Sequence, residues 1–395
     1  MSIARTIVVA GAGIGGLTAA LALAGKGFRV IVMEKAERLE EAGAGLQLSP
    51  NASRILIELG LQDRLQARAV TPDAISMMSA RSGGEIARLP LGEEAGRRAG
   101  APYWVLHRAD LQAALQAQVN DNPAIELRLG CQFDDVVTDA GGVIVTQRSG
   151  ATRHREPALA LIGADGVWSA VRQRLFPHIQ PQFSGLIAWR GTFETAQLPS
   201  EHTSGRVQLW MGSNAHLVAY PISGGRQINV VAILQGAWNR PGWSVDGDAT
   251  EIRTAFMARR WPGPARMMIG AVDSWRKWAL FTVSHDADWT SGPVTLLGDA
   301  AHAMLPFAAQ GAGMAIEDAA VLAQCLGRVD DAPAALRRYA GLRRARVMRV
   351  QATARRNGTI YHLGGVAALL RDTVIRAIGA QRVLARQDWI YRWRA

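Results

Sequence analysis

The sequence predicts an α/β protein: a Rossmann-like domain on a doubly wound parallel sheet, with an inserted mixed β-sheet domain and a helical C-terminus. Three observations predict this class. A strand, a glycine-rich turn, a helix and a second strand follow one another at the N-terminus. A tryptophan-rich stretch from about residue 180 to 276 alternates like half-buried strands. After Gly311 the chain is largely helical.

The N-terminal unit divides into clear elements. Thr6 to Ala10 is a β-branched run typical of a strand buried on both faces. Gly11 to Gly16 interrupt it, and Leu17 to Ala24 then has good helix propensity. Phe28 to Met33 predicts the second strand. A crossover of this kind implies parallel strands joined by a right-handed connection.

Later segments return the chain to this sheet. A helix is predicted after Pro50 and another from Asp110 to Val119, while Leu159 to Ile162 and Val294 to Leu297 have the pattern of buried strands. We therefore expect a discontinuous first domain over residues 1–72, 101–179 and 280–395. The β-sheet domain is expected over residues 73–100 and 180–279.

Composition excludes a disordered chain, since 49% of the 395 residues are hydrophobic and 19% are charged. The two cysteines, Cys131 and Cys325, lack the spacing of a disulfide framework or a metal site. They predict reduced thiols and a cytoplasmic protein without a bound metal.

The net charge of +11 is unevenly distributed, because residues 336–395 contain fourteen arginines against Asp372 and Asp388. A nucleic-acid-binding or anionic-membrane surface is one interpretation. A solvated helical face that steers anionic ligands is the other. We favour the second, because the arginines are mixed with apolar residues at helical spacing, and we expect neither nucleic acid nor membrane as a partner.

Residues Ile7 to Gly25 contain no charge, which resembles a signal peptide or a membrane span. Five of these residues are glycines, however. That number is unusual for a span and favours the division into strand, turn and helix.

The first chemical motif is the glycine turn Gly11-Ala12-Gly13-Ile14-Gly15-Gly16, followed by Glu34 at the end of the second strand. Its glycines allow a tight turn, a close approach of backbone to a pyrophosphate, and close packing of helix on strand. The helix N-terminus favours phosphate, and Glu34 is placed to accept hydrogen bonds from ribose hydroxyls. This pattern predicts a dinucleotide site without specifying the dinucleotide.

Two further motifs follow strands. Gly298-Asp299-Ala300-Ala301-His302 ends an apolar strand and leads to the glycine-rich segment Gly311 to Gly313, which opens a helix. Asp299 could bind a polyol hydroxyl there, and the helix N-terminus could stabilise negative charge on a ring. Gly163-Ala164-Asp165-Gly166 follows another strand, although a turn containing Asp and Gly is common in any protein.

Together these motifs resemble the group A flavoprotein aromatic hydroxylases, the family of salicylate and 3-hydroxybenzoate hydroxylases. The order GAGIGG with Glu34, GADGVWSAVR at 163–172 and GDAAHAMLPFAAQGAGMAIEDA at 298–319 carries the resemblance. Supporting matches are GAGLQ at 43–47 with Pro50-Asn51, HRADL at 107–111, and the terminal Asp388 to Tyr391.

The resemblance implies FAD as cofactor, held by the first domain. The residues it implies for FAD binding are Gly11, Gly13, Gly15, Gly16, Glu34, Lys35, Gln47, Arg108, Asp165, Asp299, Gly311, Ala312 and Gly313. It also implies NAD(P)H as a transient co-substrate, because no second glycine fingerprint is present.

In the reaction that the resemblance implies, NAD(P)H reduces FAD, O2 adds at flavin C4a, and the hydroperoxide attacks an electron-rich ring carbon of a small aromatic substrate. A base that deprotonates a phenol assists this attack. His216 and Tyr220 match a His/Tyr pair of 3-hydroxybenzoate-type members, which makes His216 the candidate base, and Pro306 is expected beside the ring. A histidine with a purely structural place in the sheet remains the alternative.

Other residues have weaker assignments. Arg190 is a candidate to hold a substrate carboxylate, or else a surface or interdomain ion-pair residue, and His302 is expected to be structural. Ala303 replaces a frequent proline, and Pro306-Phe307 replaces a glutamine-containing pair, so the substrate itself stays open.

Competing functions are a flavin reductase or halogenase of the same fold, or a nicotinamide-dependent dehydrogenase. No WxWxIP segment of halogenases is present, and a dehydrogenase leaves the 298–319 motif unexplained. A flavin absorbance spectrum of the purified protein would support a flavin enzyme, and a colourless protein that retains nucleic acid would support a nucleic-acid-binding function. We expect a monomer or homodimer.

Overall fold

A computed structural model of the chain describes residues 5–39, 45–139, 141–199, 205–240, 242–284, 288–328 and 331–395. Gly43 and Ala44 of the GAGLQ match lie outside the described residues. The uncharged N-terminal run forms a strand, a turn and a helix, as predicted. Within the described ranges, no helix combines the length and apolar character needed to cross a bilayer.

The strands and helices alternate along the first third of the chain and segregate later. In chain order, the strands are β1 (Thr6–Ala10), β2 (Arg29–Glu34), β3 (Gly45–Leu48), β4 (Ala74–Ser79), β5 (Glu85–Pro90), β6 (Trp104–His107), β7 (Ile125–Leu129), β8 (Gln132–Asp139), β9 (Gly142–Ser149), β10 (Thr152–Ala158), β11 (Ala160–Gly163), β12 (Gln182–Glu194), β13 (Val207–Gly212), β14 (Ala215–Ile222), β15 (Gln227–Gln235), β16 (Ser244–Gly247), β17 (Trp275–Thr282), β18 (Thr290–Ser291) and β19 (Val294–Leu296). The α-helices are α1 (Ile14–Ala24), α2 (Pro50–Glu58), α3 (Gln62–Gln66), α4 (Gly92–Ala99), α5 (Arg108–Asn120), α6 (Ala170–Leu175), α7 (Ala249–Ala258), α8 (Gly263–Ala271), α9 (Asp299–His302), α10 (Gly311–Leu326), α11 (Ala332–Tyr361), α12 (Gly365–Ile378), α13 (Ala380–Ala385) and α14 (Asp388–Tyr391).

A six-stranded sheet in the order β18-β19-β11-β1-β2-β7 forms the base of the fold. Strand β1 pairs in parallel with β2 and β11, and all five of its residues are buried. Helices α1 and α5 pack on this sheet, while β8, β9 and β10 form a three-stranded antiparallel sheet that also contacts it. The predicted βαβ unit and parallel sheet are confirmed, with an antiparallel sheet forming an additional layer.

The second large sheet is the predicted mixed one. Its eight strands lie in the order β16-β17-β12-β15-β14-β13-β4-β5. Only the pair β4–β13 is parallel among the neighbouring strands of this sheet. A separate apolar core, which includes Trp189, Trp210 and Trp275, packs this sheet against α7 and α8. The tryptophan-rich stretch thus builds its own core, as its alternation indicates.

The arginine-rich C-terminal helices are mostly solvated, since ten of the fourteen arginines after residue 336 are exposed. The prediction of a solvated face is nevertheless wrong for Arg343 and Arg371, which are buried. In addition, Trp389 lies 3.9 Å from the guanidinium of Arg349, measured to the ring centroid. Arginines of α11 therefore serve packing as well as solvation.

Candidate active site

The glycine turn and the Gly163–Gly166 loop are in direct contact. Gly11 has φ +106°, and a Cβ on it would lie 2.4 Å from the carbonyl oxygen of Ala164. A Cβ on Gly16 would lie 1.9 Å from the carbonyl oxygen of Gly11. Side chains are therefore excluded at both positions. Gly13, in contrast, has no atom within 4 Å of its Cβ position, so its backbone faces open space.

The segment around Asp299 also contacts the glycine turn. A Cβ on Gly15 would lie 2.8 Å from Leu297 Cδ2 and 3.1 Å from Ala315 Cβ. Gly298, with φ +62°, turns the chain from β19 into α9 at Asp299. Motifs nearly three hundred positions apart in the sequence thus converge at the carboxyl ends of the parallel strands β1 and β19, which flank β11 in the sheet. Open α/β sheets bind ligands at this edge.

Glu34 is held beside the turn by backbone. Its Oε2 accepts a hydrogen bond from Ala12 N and its Oε1 accepts one from Ala36 N, both at 2.9 Å. Each carboxylate oxygen has a further lone pair that a ribose hydroxyl could use. Lys35, the next residue, is exposed and is not among the described residues that line the cavity beside the turn.

That cavity has a volume of about 300 Å³ and connects the turn to the eight-stranded sheet. Ten of the predicted site residues line it: Gly13, Gly15, Gln47, Arg108, His216, Tyr220, Asp299, Pro306, Gly311 and Ala312. Six do not: Gly11, Gly16, Glu34, Lys35, Asp165 and Gly313. Gly11 and Gly16 instead make the close approaches described above, and a Cβ on Gly313 would lie 2.8 Å from the Gln310 side chain.

Asp165 lies next to Gly11 of the glycine turn and does not line the cavity. Its Oδ2 accepts a hydrogen bond of 3.1 Å from Val171 N, near the start of α6. Burial raises the pKa of this carboxyl, and hydrogen bonds from Ser169 and from backbone oppose the rise. The Asp therefore also fixes the loop that contacts Gly11.

Two guanidinium groups, those of Arg108 and Arg190, line the cavity. Burial lowers the pKa of Arg108, and the charge of Arg190 lowers it further, while Asp299 opposes the shift. Arg190 lies on β12, and burial lowers its pKa as well. Its Nε is buried without a hydrogen-bond partner among the described residues, and its guanidinium lies 5.8 Å from the Trp278 ring centroid. The cavity is thus suited to anionic groups.

Strand β14 places His216 and Tyr220 on one face, because residues four apart in a strand point the same way. Both are almost completely buried, with exposures of 2% and 4%. Burial, with a smaller effect of His362, lowers the pKa of His216 well below 6.5. Burial raises the pKa of Tyr220, opposed by Arg190. At neutral pH the site therefore contains a neutral imidazole and a protonated phenol.

His362 was not predicted as a site residue, although its Nε2 lies 2.8 Å from His216 Nδ1. His362 caps the C-terminal end of α11 and carries no local motif that would reveal it. A larger, mainly apolar cavity of about 570 Å³ adjoins this region. The two cavities share five lining residues: Gln47, His216, Val218, Pro306 and Ala309.

A buried charge network involves two acidic residues in the first half of α10, Glu317 and Asp318. Arg343 donates to Asp318 Oδ1 at 2.6 Å and to Glu317 Oε2 at 2.7 Å. Asp318 also accepts from Gly298 N at 3.1 Å and lies 2.5 Å from His302 Nε2. Burial disfavours its charge, but His302 and Arg343 outweigh burial and hold the pKa of Asp318 at about 2. His302 is fully buried in this network, which agrees with a structural role.

The network extends to α2 and to the C-terminus. Asn51 Nδ2 donates to Glu317 Oε1 at 2.7 Å and to Gln310 Oε1 at 3.1 Å. Arg346 binds Glu317 at 2.6 Å and also donates to the carbonyl oxygen of Trp389 at 3.0 Å. The helix that faces the cavity is therefore tied to the last helix of the chain.

These features fit the FAD that the sequence resemblance implies. The open backbone at Gly13 and the N-terminus of α1 suit a pyrophosphate. Asp299 and the backbone at Gly311 and Ala312 line the cavity where a ring and its polyol chain would extend from it. Gly11 and Gly16 leave no room for a side chain, because backbone carbonyl oxygens lie close to their Cβ positions.

Comparisons with known proteins agree with this fit. The family described as "FAD binding domain" matches residues 4–354. A 3-hydroxybenzoate 6-hydroxylase of Polaromonas naphthalenivorans is 36% identical over 389 residues, 98% of this chain and 96% of that protein. A 6-hydroxynicotinate 3-monooxygenase of Bordetella bronchiseptica is 34% identical and covers 87% of this chain and 89% of that protein. HpxO of Klebsiella pneumoniae, solved with FAD and uric acid, has a TM-score of 0.84 at 25% identity, over 98% of this chain and 96% of that one. The chain therefore belongs to the FAD binding domain family, and within it to the FAD-dependent aromatic hydroxylases.

Proposed function

We propose that this protein is an FAD-dependent monooxygenase that uses NAD(P)H and O2 to hydroxylate a small anionic aromatic acid, of the hydroxybenzoate or hydroxynicotinate type. The observation that carries the proposal is one cavity lined by His216 and Tyr220, by Arg190, and by the Asp299 and Gly311 segments. The named relatives act on aromatic rings that bear a hydroxyl group and a carboxylate. In the cavity, Arg190 could bind the carboxylate, and His216 and Tyr220 could bind the hydroxyl group.

In this proposal His216 accepts the phenolic proton of the substrate, because its lowered pKa keeps the ring neutral and able to act as a base. Tyr220 stays protonated and donates a hydrogen bond to the substrate oxygen. Removal of the phenolic proton increases the electron density of the ring carbon to be hydroxylated. Burial of both groups excludes water from that proton transfer.

When bound, FAD supplies the transfer of reducing equivalents from NAD(P)H and the activation of O2. The glycine turn, Glu34, Arg108 and Asp299 would hold it, as would the N-terminus of α10 at Gly311 and Ala312. A helix N-terminus favours negative charge on an adjacent ring, and α10 has sixteen residues with its start on the cavity. Pro306 would lie beside the ring and the substrate, since it lines both cavities.

We also propose that the chain divides as the sequence predicts, into an FAD-binding domain over residues 1–72, 101–179 and 280–395 and a substrate domain over residues 73–100 and 180–279. The eight-stranded sheet supports this division, since its strands all begin within the second set of ranges. Strand β17 continues a few residues beyond the boundary.

The function is tested with purified, FAD-loaded protein and a panel of hydroxybenzoates and hydroxynicotinates. We expect at least one of these acids to stimulate oxidation of NADH or NADPH. The product should contain one added oxygen atom, labelled when the gas is ¹⁸O2. Stimulated oxidation that yields only hydrogen peroxide for every acid would exclude hydroxylation of this substrate class.

Replacing Asp299 by alanine is expected to weaken FAD binding by roughly 10- to 100-fold, because a hydrogen bond to a charged group contributes about 1.5–3 kcal/mol. The measurement is a titration of apoprotein with FAD, followed by flavin fluorescence. Asp288→Ala, at an exposed position eleven residues earlier, is the control and should bind FAD like the parent. Equal affinity in the two variants would remove Asp299 from the site.

Replacing Arg190 by methionine is expected to raise KM for a carboxylate-bearing substrate by roughly 10- to 100-fold, for loss of a charge-assisted hydrogen bond. The same variant should bind FAD normally. Arg276→Met is a matched control, because that exposed guanidinium lies 5.7 Å from the same Trp278 ring. A change in FAD affinity with an unaltered KM would assign Arg190 to the cofactor instead.

A further inference from the structure

The side chain nearest to the proposed base is a second histidine. His216 Nδ1 and His362 Nε2 are 2.8 Å apart, a hydrogen-bond distance, and their ring centroids are 5.0 Å apart. His216 lies on β14 and His362 follows α11, so 146 positions separate them in the sequence. The contact is therefore made by the tertiary fold.

Backbone contacts hold both histidines in place. Asn214 N, in the turn between β13 and β14, donates to the carbonyl oxygen of His362 at 3.1 Å. Gly364 approaches the same turn so closely that a Cβ on it would lie 2.5 Å from Ser213 Oγ. The turn that precedes His216 and the end of α11 thus form one packed unit, which fixes the distance between the two rings.

Two nitrogens at this distance share a single proton when both rings are neutral. Burial lowers the pKa of His362 to about 4, and burial and His362 lower that of His216. Both rings are then neutral at pH 7. Either His216 donates from Nδ1 and leaves Nε2 with a free lone pair, or His362 donates and the proton of His216 is on Nε2. Only the first arrangement gives a base at Nε2.

The remaining neighbours of His216 do not compete for Nδ1. Phe307 lies at 5.1 Å and Tyr361 at 5.6 Å, measured between ring centroids. Burial raises the pKa of Tyr361 to about 12, so this phenol is neutral. Tyr220 is four residues away on the same strand, with Arg190 near it.

We propose that His362 is a positioning residue that accepts the Nδ1–H of His216 and so directs the lone pair of His216 Nε2 into the cavity. The inference rests on the proposed function, because it assigns that lone pair to the phenolic proton. The O–H bond of the substrate breaks, an N–H bond forms at His216 Nε2, and the resulting imidazolium keeps its Nδ1–H bond to His362, which strengthens when the donor is charged.

The test is a double-mutant cycle in the FAD-loaded enzyme. His362→Met removes the acceptor and is expected to lower kcat about 10- to 100-fold, with KM close to that of the parent. His362→Gln keeps an acceptor oxygen and should recover most of kcat. The variant His216→Gln/His362→Met should be no slower than His216→Gln, since His362 acts through His216. His178→Met, at an exposed position, controls for the substitution itself.

An unchanged kcat in His362→Met, or a double variant slowed by the full additional factor, would overturn the proposal. A second measurement needs neither activity nor a folded variant at position 362. ¹⁵N-histidine NMR of the parent, assigned by the signal lost in His216→Gln, should show His216 protonated at Nδ1 and not at Nε2. The opposite tautomer would overturn the pairing. Absence of hydroxylated product from the parent would instead overturn the proposed function, while the tautomer would still decide the pairing.

Discussion

Replacing His216 by glutamine is expected to lower kcat for hydroxylation by about 10²- to 10⁴-fold, the range typical of loss of a general base. FAD affinity should stay at the parent value, because His216 lies on β14 of the eight-stranded sheet and not on the glycine turn. Glutamine keeps the side chain polar without a basic nitrogen. The measurement is product formation at saturating substrate, with FAD binding determined separately.

His154→Gln is the control, because His154 is exposed on β10 and outside both cavities. If the His216 variant forms product at the rate of the parent, His216 is not the base.

If His216 is the base, its pKa sets the pH dependence of kcat/KM. Burial and His362 lower the pKa of His216, so its neutral, active form persists well below pH 6.5. The acid limb of kcat/KM that belongs to this residue should therefore lie below pH 6.5 rather than at it. A profile of kcat/KM from about pH 5 to 9 checks this, with the reference pKa of histidine near 6.5. Neighbouring Tyr361 and Tyr220 have raised pKa values and should not titrate in that range.

Replacing Arg343 by methionine is expected to lower the free energy of unfolding by about 3–5 kcal/mol, because it leaves buried carboxylates without their cation. Arg343 is 1% exposed and contacts Glu317 and Asp318, both at 0%. In the variant, Arg346 still binds Glu317. The loss of an arginine partner therefore affects Asp318 more than Glu317. Urea unfolding of the holoenzyme measures the effect.

Arg337→Met, on an exposed position of the same helix, should cost little. Adding Asp318→Asn to Arg343→Met should restore part of the loss, since the uncompensated charge is then removed. No recovery in the double variant would mean that the cost arises from packing and not from the buried charge.

Local sequence was sufficient to predict the turn and strands of the proposed FAD site. Gly11 to Gly16, β1, α1 and β2 are consecutive, so their pattern specifies them without knowledge of the rest of the fold. The Asp299 segment was also predictable, because its glycines and helix follow directly after a strand. Gly11 lies against Ala164 in the fold, and a side chain at position 11 would clash with it. The sequence shows the glycine at this position but does not show the contact that requires it.

Long-range pairs were not predictable. His362 meets His216 across 146 positions, and Arg343 is one of fourteen arginines in a region with a repetitive composition. Which arginine faces the core depends on how α11 packs on α10, and residue type does not reveal this. Lys35 is exposed, and its assignment to FAD binding stays a prediction.

The bond between Arg346 and the carbonyl oxygen of Trp389 has a practical consequence for expression of this enzyme. Arg346 also binds Glu317, a buried residue in the first half of α10. A chain shortened before Trp389, or a bulky C-terminal tag that displaces α14, would uncover this carboxylate to solvent and loosen the helix beside the cavity.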